Sequence, residues 1–247
     1  MLIVANWKAY VEDFTKAKHL MSAAKRVASR SKAAIVVAPP APFLGALAIG
    51  NRTKVAFSAQ DVSVTTGGAQ TGESTARANM AAGATYAIIG HSERRASGDT
   101  NQIVAEKLSH ALAQGLTPIL CVGEKERDSE GRYLAFIREE LRSALGAVAV
   151  KDRSKIVIAY EPIWAIGKHA KDAIRPHDLT EMVLYIKKVL AELLPGKSAV
   201  RAQILYGGSV EPEGARDLAA ASGIDGVLVG HASTDAAQFS AIIRELT

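Results

Sequence analysis

Ile156-Val157-Ile158-Ala159-Tyr160-Glu161-Pro162-Ile163-Trp164-Ala165-Ile166-Gly167 runs from a β-branched strand former into a glutamate, and a proline then stops the strand. A carboxylate at the carboxyl end of a buried strand is costly unless chemistry or a partner compensates for it. The bulky residues that follow are suited to fold over it and exclude water, as a general base requires. The segment reads as a strand that ends in a base, with a lid attached.

Outward from this stretch the same pattern recurs. With Ile156–Tyr160, the strand candidates are Leu2–Asn6, Ala34–Ala38, Val55–Ala59, Tyr86–Gly90, Thr117–Val122, Arg201–Tyr206 and Gly226–Gly230. Between them lie amphipathic helix candidates, Thr15–Ser29, Asn101–Ala113, Leu134–Leu145 and Leu179–Leu194. The last spaces Met182, Ile186, Val189, Leu190 and Leu193 as one apolar stripe. No Pro/Gly/Ser-rich linker divides the 247 residues, and 48% hydrophobic content supplies one large core, so residues 1–247 are expected to form a single domain. Alternating strands and helices in this length predict the α/β class and a closed (β/α)8 barrel. An open doubly wound sheet is expected to carry a glycine-rich dinucleotide loop after its first strand, where Asn6-Trp7-Lys8 stands instead. A barrel also predicts that functional residues sit just after strands.

The net charge of +5 is spread along the chain, and even the stretch Lys168–Arg175 contains Asp172, so a solvated basic surface is expected rather than a nucleic-acid site. No apolar run approaches the roughly 18 residues of a membrane span, and Leu2-Ile3-Val4 is too short for a secretory signal. One cysteine, Cys121, excludes an internal disulfide and fits a reducing cytosol, hence a cytoplasmic location.

Strand ends carry the chemistry. Lys8, beside Asn6, either turns into solvent or holds an anionic substrate as a point charge. His91 follows Ala87-Ile88-Ile89 and precedes a helix start, whose local field favours a neutral imidazole able to donate to a carbonyl oxygen. Ser92 and Glu93 open that helix, and Glu93 is placed to anchor Lys8. Tyr206-Gly207-Gly208-Ser209 and Val229-Gly230-His231-Ala232 follow strands 7 and 8, where barrels commonly bind phosphate through backbone N–H groups; the Ser209 hydroxyl adds a donor. The six histidines show no metal-ligand spacing, no P-loop or nucleophile elbow is present, and Cys121 reads as a packed thiol. No metal is expected.

Together these segments resemble the triosephosphate isomerase family. The matching residues are Ala5-Asn6-Trp7-Lys8, Ala59 to Ser63, Gly68 to Glu73, Ile88 to Arg95, Cys121-Val122-Gly123-Glu124, Ala159 to Gly167, Tyr206 to Val210, and Asp225 to Ala232. They extend from the first strand to the last, and Gly-His-Ser-Glu-Arg-Arg followed by Ala-Tyr-Glu-Pro-Ile-Trp-Ala-Ile-Gly is very specific. The resemblance implies a TIM barrel that interconverts dihydroxyacetone phosphate and D-glyceraldehyde 3-phosphate without a cofactor. It implies Glu161 as the base, His91 as the electrophile, and Lys8 and Asn6 as stabilisers of the enediolate. Gly167, Ser209, Gly230 and His231 would bind phosphate, with Ile166 and Leu228 as an apolar clamp above the base. The loop Thr65–Glu73 would insert into a second subunit, so a homodimer is implied.

The chain departs from the family at three places. Ala9-Tyr10 follows Trp7-Lys8 where methionine and a polar residue are usual. Lys168 to Pro176 replaces the usual continuation of the lid, and His231 replaces a glycine. These departures motivate an alternative, an isomerase of a four-carbon ketose phosphate; a further one, of a different class, is a non-catalytic phosphate-binding barrel.

Overall fold

A computed structural model describes residues 1–166, 174–196 and 198–247. Strand β1 (Leu2–Asn6) pairs in parallel with β2 (Ala34–Ala38) on one side and with β8 (Gly226–Val229) on the other, which closes the sheet. Around the ring follow β3 (Ala56–Ala59), β4 (Tyr86–Ile89), β5 (Thr117–Val122), β6 (Val157–Tyr160) and β7 (Ile204–Tyr206), each parallel to its neighbours. The α/β class and the closed (β/α)8 barrel are as expected, and the open sheet is excluded.

The helices of the outer layer are α1 (Phe14–Ala28), α2 (Ala41–Ala48), α3 (Ala76–Ala81), α4 (Ser92–Ala96) and α5 (Asn101–Ala113). After them come α6 (Arg132–Gly146), α7 (Pro176–Leu193), α8 (Ser198–Arg201), α9 (Ala215–Ser222) and α10 (Ala236–Leu246). The expected strand Arg201–Tyr206 is shorter than its sequence suggests. Arg201 closes α8, and β7 begins only at Ile204, opposite Ile158. The alternating Arg201-Ala202-Gln203 mimics a strand locally, but Arg201 belongs to the helical turn, and the ladder with β6 starts where the Ile158 N–H donates to Gln203 O at 2.9 Å.

Strand periodicity sorts the buried residues into two cores. Leu2, Val4, Ile119, Cys121, Val157, Ala159 and Leu228 fill the barrel, whereas Ile3, Ala5, Leu120, Val122, Ile158 and Tyr160 pack towards the helices. The inward phase of β1 continues to Asn6, that of β6 to Glu161 and that of β8 to Gly230. Strand pitch alone thus aims these positions into one mouth at the carboxyl end of the barrel.

Candidate active site

Asn6 is 4% exposed, and its Oδ1 accepts from the Lys8 N–H at 3.1 Å. This short turn holds Lys8 at φ 47°, the one positive-φ side-chain-bearing residue among the described residues. Such a backbone costs about 1 kcal/mol and persists only when its surroundings over-determine it. Gln60 supplies part of that constraint, with Nε2 donating to both Lys8 O and Ala38 O at 2.9 Å. The Lys8 ammonium then lies 2.7 Å from Glu93 Oε1. Partial burial pushes the Glu93 carboxyl up, but the hydrogen bond and charge of Lys8 hold it below its ordinary value. Glu93 thus anchors Lys8, as its position after His91 suggested.

Just past β4 stands Gly90, whose φ of 72° is open to glycine, and the chain turns there into α4 with His91 as its N-cap. The Nδ1 of His91 accepts the Glu93 backbone N–H at 3.2 Å. An accepting Nδ1 carries no proton, so this geometry assigns a neutral ring with its hydrogen on Nε2. That nitrogen lies 3.1 Å from Glu161 Oε1, while Glu161 Oε2 accepts from the Ser92 N–H at 3.0 Å. Both side chains are buried, at 7% and 3% exposure. A buried carboxylate and imidazole N–H beside a cavity can pass protons to and from a bound substrate once the carboxylate leaves Ser92.

Two glycines let Glu161 sit where it does. A β-carbon on Gly123 would land on the Glu161 carbonyl oxygen, and one on Gly207 would stand 2.9 Å from Glu161 Cγ. Behind them the half-buried Arg95 meets the buried Glu140. Arg95 donates through Nε to Gly90 O at 2.8 Å and reaches Glu140 Oε1 at 3.3 Å; Glu140 Oε2 accepts from the Gly123 N–H at 2.9 Å. Burial raises the Glu140 carboxyl to about 7 despite the Arg95 charge and the Gly123 hydrogen bond. Through these contacts one pair grips the residue before His91 and the glycine that flanks Glu161. Cys121 is fully buried in the barrel core, and burial beside Glu161 pushes its thiol well up, which fits a packed rather than a nucleophilic sulfur.

The segment after Glu161 is tied down separately. Glu124 Oε1 accepts from Tyr160 Oη at 2.8 Å, Trp164 Nε1 at 2.9 Å and Arg127 Nε at 3.0 Å, and the Arg127 guanidinium also lies over the Trp164 ring. Pro162 to Ala165 is therefore held to the end of β5. Gly167 and the segment 168–173 lie outside the described residues; after them Ile174 is buried and Arg175 pairs with Asp178 at 2.8 Å.

Asn6, Lys8, His91, Glu161, Ile166, Ser209, Leu228, Gly230 and His231 line one cavity of about 370 Å³. In one respect the geometry differs from expectation: the Ser209 hydroxyl donates to Ala165 O at 3.1 Å, so its single proton serves the lid base and not the cavity. His231 has no positive φ, so the backbone carries its imidazole without strain.

Sequence reasoning missed the bracing groups Arg95, Glu140 and Glu124 and the packing role of Gly123 and Gly207. Glu140 had a legible signal, since it lies on the apolar stripe of α6 between Ile137 and Ala144. Among the described residues no group of three or more His, Cys, Asp or Glu could hold a metal ion, and no helix is long and apolar enough to cross a membrane.

Residues 1–246 match the family model described as Triosephosphate isomerase. A triosephosphate isomerase of Thermus thermophilus is 40% identical over 247 residues, covering 99% of this chain and 98% of the relative. One of Herminiimonas arsenicoxydans is 39% identical over 249 residues, covering 98% of both chains. One of Symbiobacterium thermophilum is 38% identical over 244 residues, covering 98% of this chain and 94% of the relative.

Proposed function

This chain belongs to the triosephosphate isomerase family and interconverts dihydroxyacetone phosphate and D-glyceraldehyde 3-phosphate, and from that premise we propose how its residues divide the work. Glu161 removes the proton from the carbon beside the carbonyl and returns it to the neighbouring carbon. His91, neutral, donates its Nε2–H to the carbonyl oxygen and then moves protons between the two oxygens of the enediolate. This pairing of a glutamate base with a neutral histidine is the family's own pattern. Lys8, fixed by Glu93, and Asn6 stabilise the negative charge that develops on those oxygens. The backbone N–H groups of Gly167, Ser209, Gly230 and His231 take the phosphate. Ile166 and Leu228 cover the base, and closure of the lid keeps water from the enediolate.

The observation that carries this reading is the His91 geometry. Its Nδ1 is occupied by the Glu93 N–H, which leaves the hydrogen on Nε2, 3.1 Å from Glu161 Oε1. A coupled isomerase assay with D-glyceraldehyde 3-phosphate, run on wild type beside Glu161→Gln, tests it. The variant is expected to lose about a thousandfold or more in kcat; retained turnover in Glu161→Gln would move the base elsewhere.

A homodimer through Thr65–Glu73 is the proposed assembly. That loop is closed at its base by Ser63 N–H to Ser74 O at 2.9 Å and by a Ser63–Glu73 side-chain hydrogen bond, and its tip from Gly67 to Glu73 is exposed. Sedimentation equilibrium of the wild type should give twice the chain mass; a monomer would remove this part of the reading. A cytoplasmic location is proposed from the single, buried cysteine.

A further inference from the structure

Two of the three departures from the family pattern, Tyr10 and His231, lie near opposite ends of the chain yet meet in space. Their rings stand edge to face, with centroids 5.2 Å apart and an interplanar angle of 74°. Closure of the barrel explains the meeting: β1 pairs with β8, so the loops that leave these strands emerge side by side. Both rings line the same cavity as Lys8 and Gly230.

The backbone beneath each ring is pinned. Tyr10 N–H donates to Trp7 O at 3.1 Å, and Lys16 Nζ donates to Tyr10 O at 3.3 Å. Thr234 Oγ1 donates to His231 O at 2.8 Å. Ser233 Oγ, from the same turn, donates to Gly230 O at 2.7 Å. An edge-to-face partner limits the rotation of an otherwise exposed imidazole. Among the described residues neither ring nitrogen of His231 has a hydrogen-bond partner, so its donor capacity is unspent. Barrels of this class hold phosphate at the loops after strands 7 and 8, which is where this ring stands.

We propose that His231 donates a ring N–H to a phosphate oxygen of the substrate, and that Tyr10 holds the ring in the orientation this requires. The pair thus adds a side-chain contact to a phosphate site that the family builds from glycine backbone. His231 is a binding residue and Tyr10 a positioning residue. The inference rests on the assignment of the phosphate end made above.

Inorganic phosphate is the probe, measured by direct calorimetric titration, which needs no turnover, and as a competitive inhibitor of the isomerase. His231→Phe keeps a ring against Tyr10 but removes the donors, whereas His231→Gly removes both. Each should weaken phosphate and raise KM by about three- to tenfold, the net worth of one solvent-accessible hydrogen bond of ordinary strength, with kcat within about twofold of wild type. Tyr10→Ala should weaken phosphate by a smaller factor, and Tyr10→Phe should restore it. The double variant Tyr10→Ala/His231→Phe should bind phosphate as His231→Phe alone does, because the ring that Tyr10 orients has no donor left. Unchanged or tighter phosphate in His231→Phe overturns the proposal, since the imidazole would then be idle or obstructive; so would additive losses in the double variant. If the wild type itself binds no inorganic phosphate, the assignment of the phosphate end fails as well, and the two failures are thereby distinguished.

Discussion

Across one cavity, the ends of β4 to β6 and the ends of β7, β8 and β1 are built by different means. On the first side His91 and Glu161 are buried, and each is held by backbone N–H groups from α4. The Arg95–Glu140 pair behind them grips Gly90 and Gly123. On the second side stand glycine backbone, the exposed Tyr10 and His231 rings and a lysine whose anchor, Glu93, is 61% exposed. Proton transfer demands atoms placed within a fraction of an ångström, so every angle must be enforced. A phosphate dianion accepts donors from many directions and tolerates a new side chain. Under the proposed roles, Tyr10 and His231 stand on the permissive side, and His91 and Glu161 on the enforced one.

If that contrast is right, variants should fall in a definite order. Glu161→Asp withdraws the carboxylate by one methylene and should cost about a hundredfold or more in kcat, with the melting temperature almost unchanged. Steady-state kinetics and thermal melts together decide it, and full turnover would mean that the fit of this side matters little. Arg95→Met should act on stability as well, by about 3 kcal/mol in urea denaturation, because it strips the Gly90 carbonyl and Asn101 of their hydrogen bonds and Glu140 of its neighbouring cation. A loss below about 1 kcal/mol would show that the brace is incidental.

The same brace predicts a pH dependence. Glu140 is raised from an ordinary 4.5 to about 7. Between those values the folded chain keeps a proton that the unfolded chain has released, so this group's contribution is fully present below about 4.5 and is lost as pH rises through about 7. Its span is of the order of 3 kcal/mol. Glu140→Gln should flatten that part of the stability–pH curve, and parallel curves for variant and wild type would reject the assignment.

A smaller effect is expected at the lid base. Trp164→Phe removes one hydrogen bond to Glu124 and should cost about 1 kcal/mol, with kcat/KM reduced less than tenfold. Smallest of all on the chemical step is His231→Gly, with kcat nearly intact; a hundredfold loss there would erase the distinction between the two sides.

Much of this was legible in the chain. The end of β6 announced itself because a glutamate after Ile158-Ala159-Tyr160 continues the inward phase of a strand whose other inward residues are apolar. The end of β4 did so by placing His91 between an apolar run and a helix start. Arg95 and Glu140 were harder to read, since they are distant in sequence and belong to α4 and α6, whose mutual placement no local pattern encodes. Ser209 misled for a related reason. Its position after β7 is local information, whereas the Ala165 carbonyl that takes its proton comes from another loop.

Sequence by itself determined the strand and helix periods, hence the barrel, and which residue types stand at which strand ends, because side-chain alternation and turn chemistry are properties of neighbouring residues. Only the tertiary structure decided the tautomer of His91, the grip of Arg95 and Glu140 on both sides of Glu161, and the meeting of Tyr10 with His231. Each depends on the distance and angle between groups from different strands. Those are set by the stagger with which the sheet closes, a quantity that belongs to the ring of eight strands and to no single one of them.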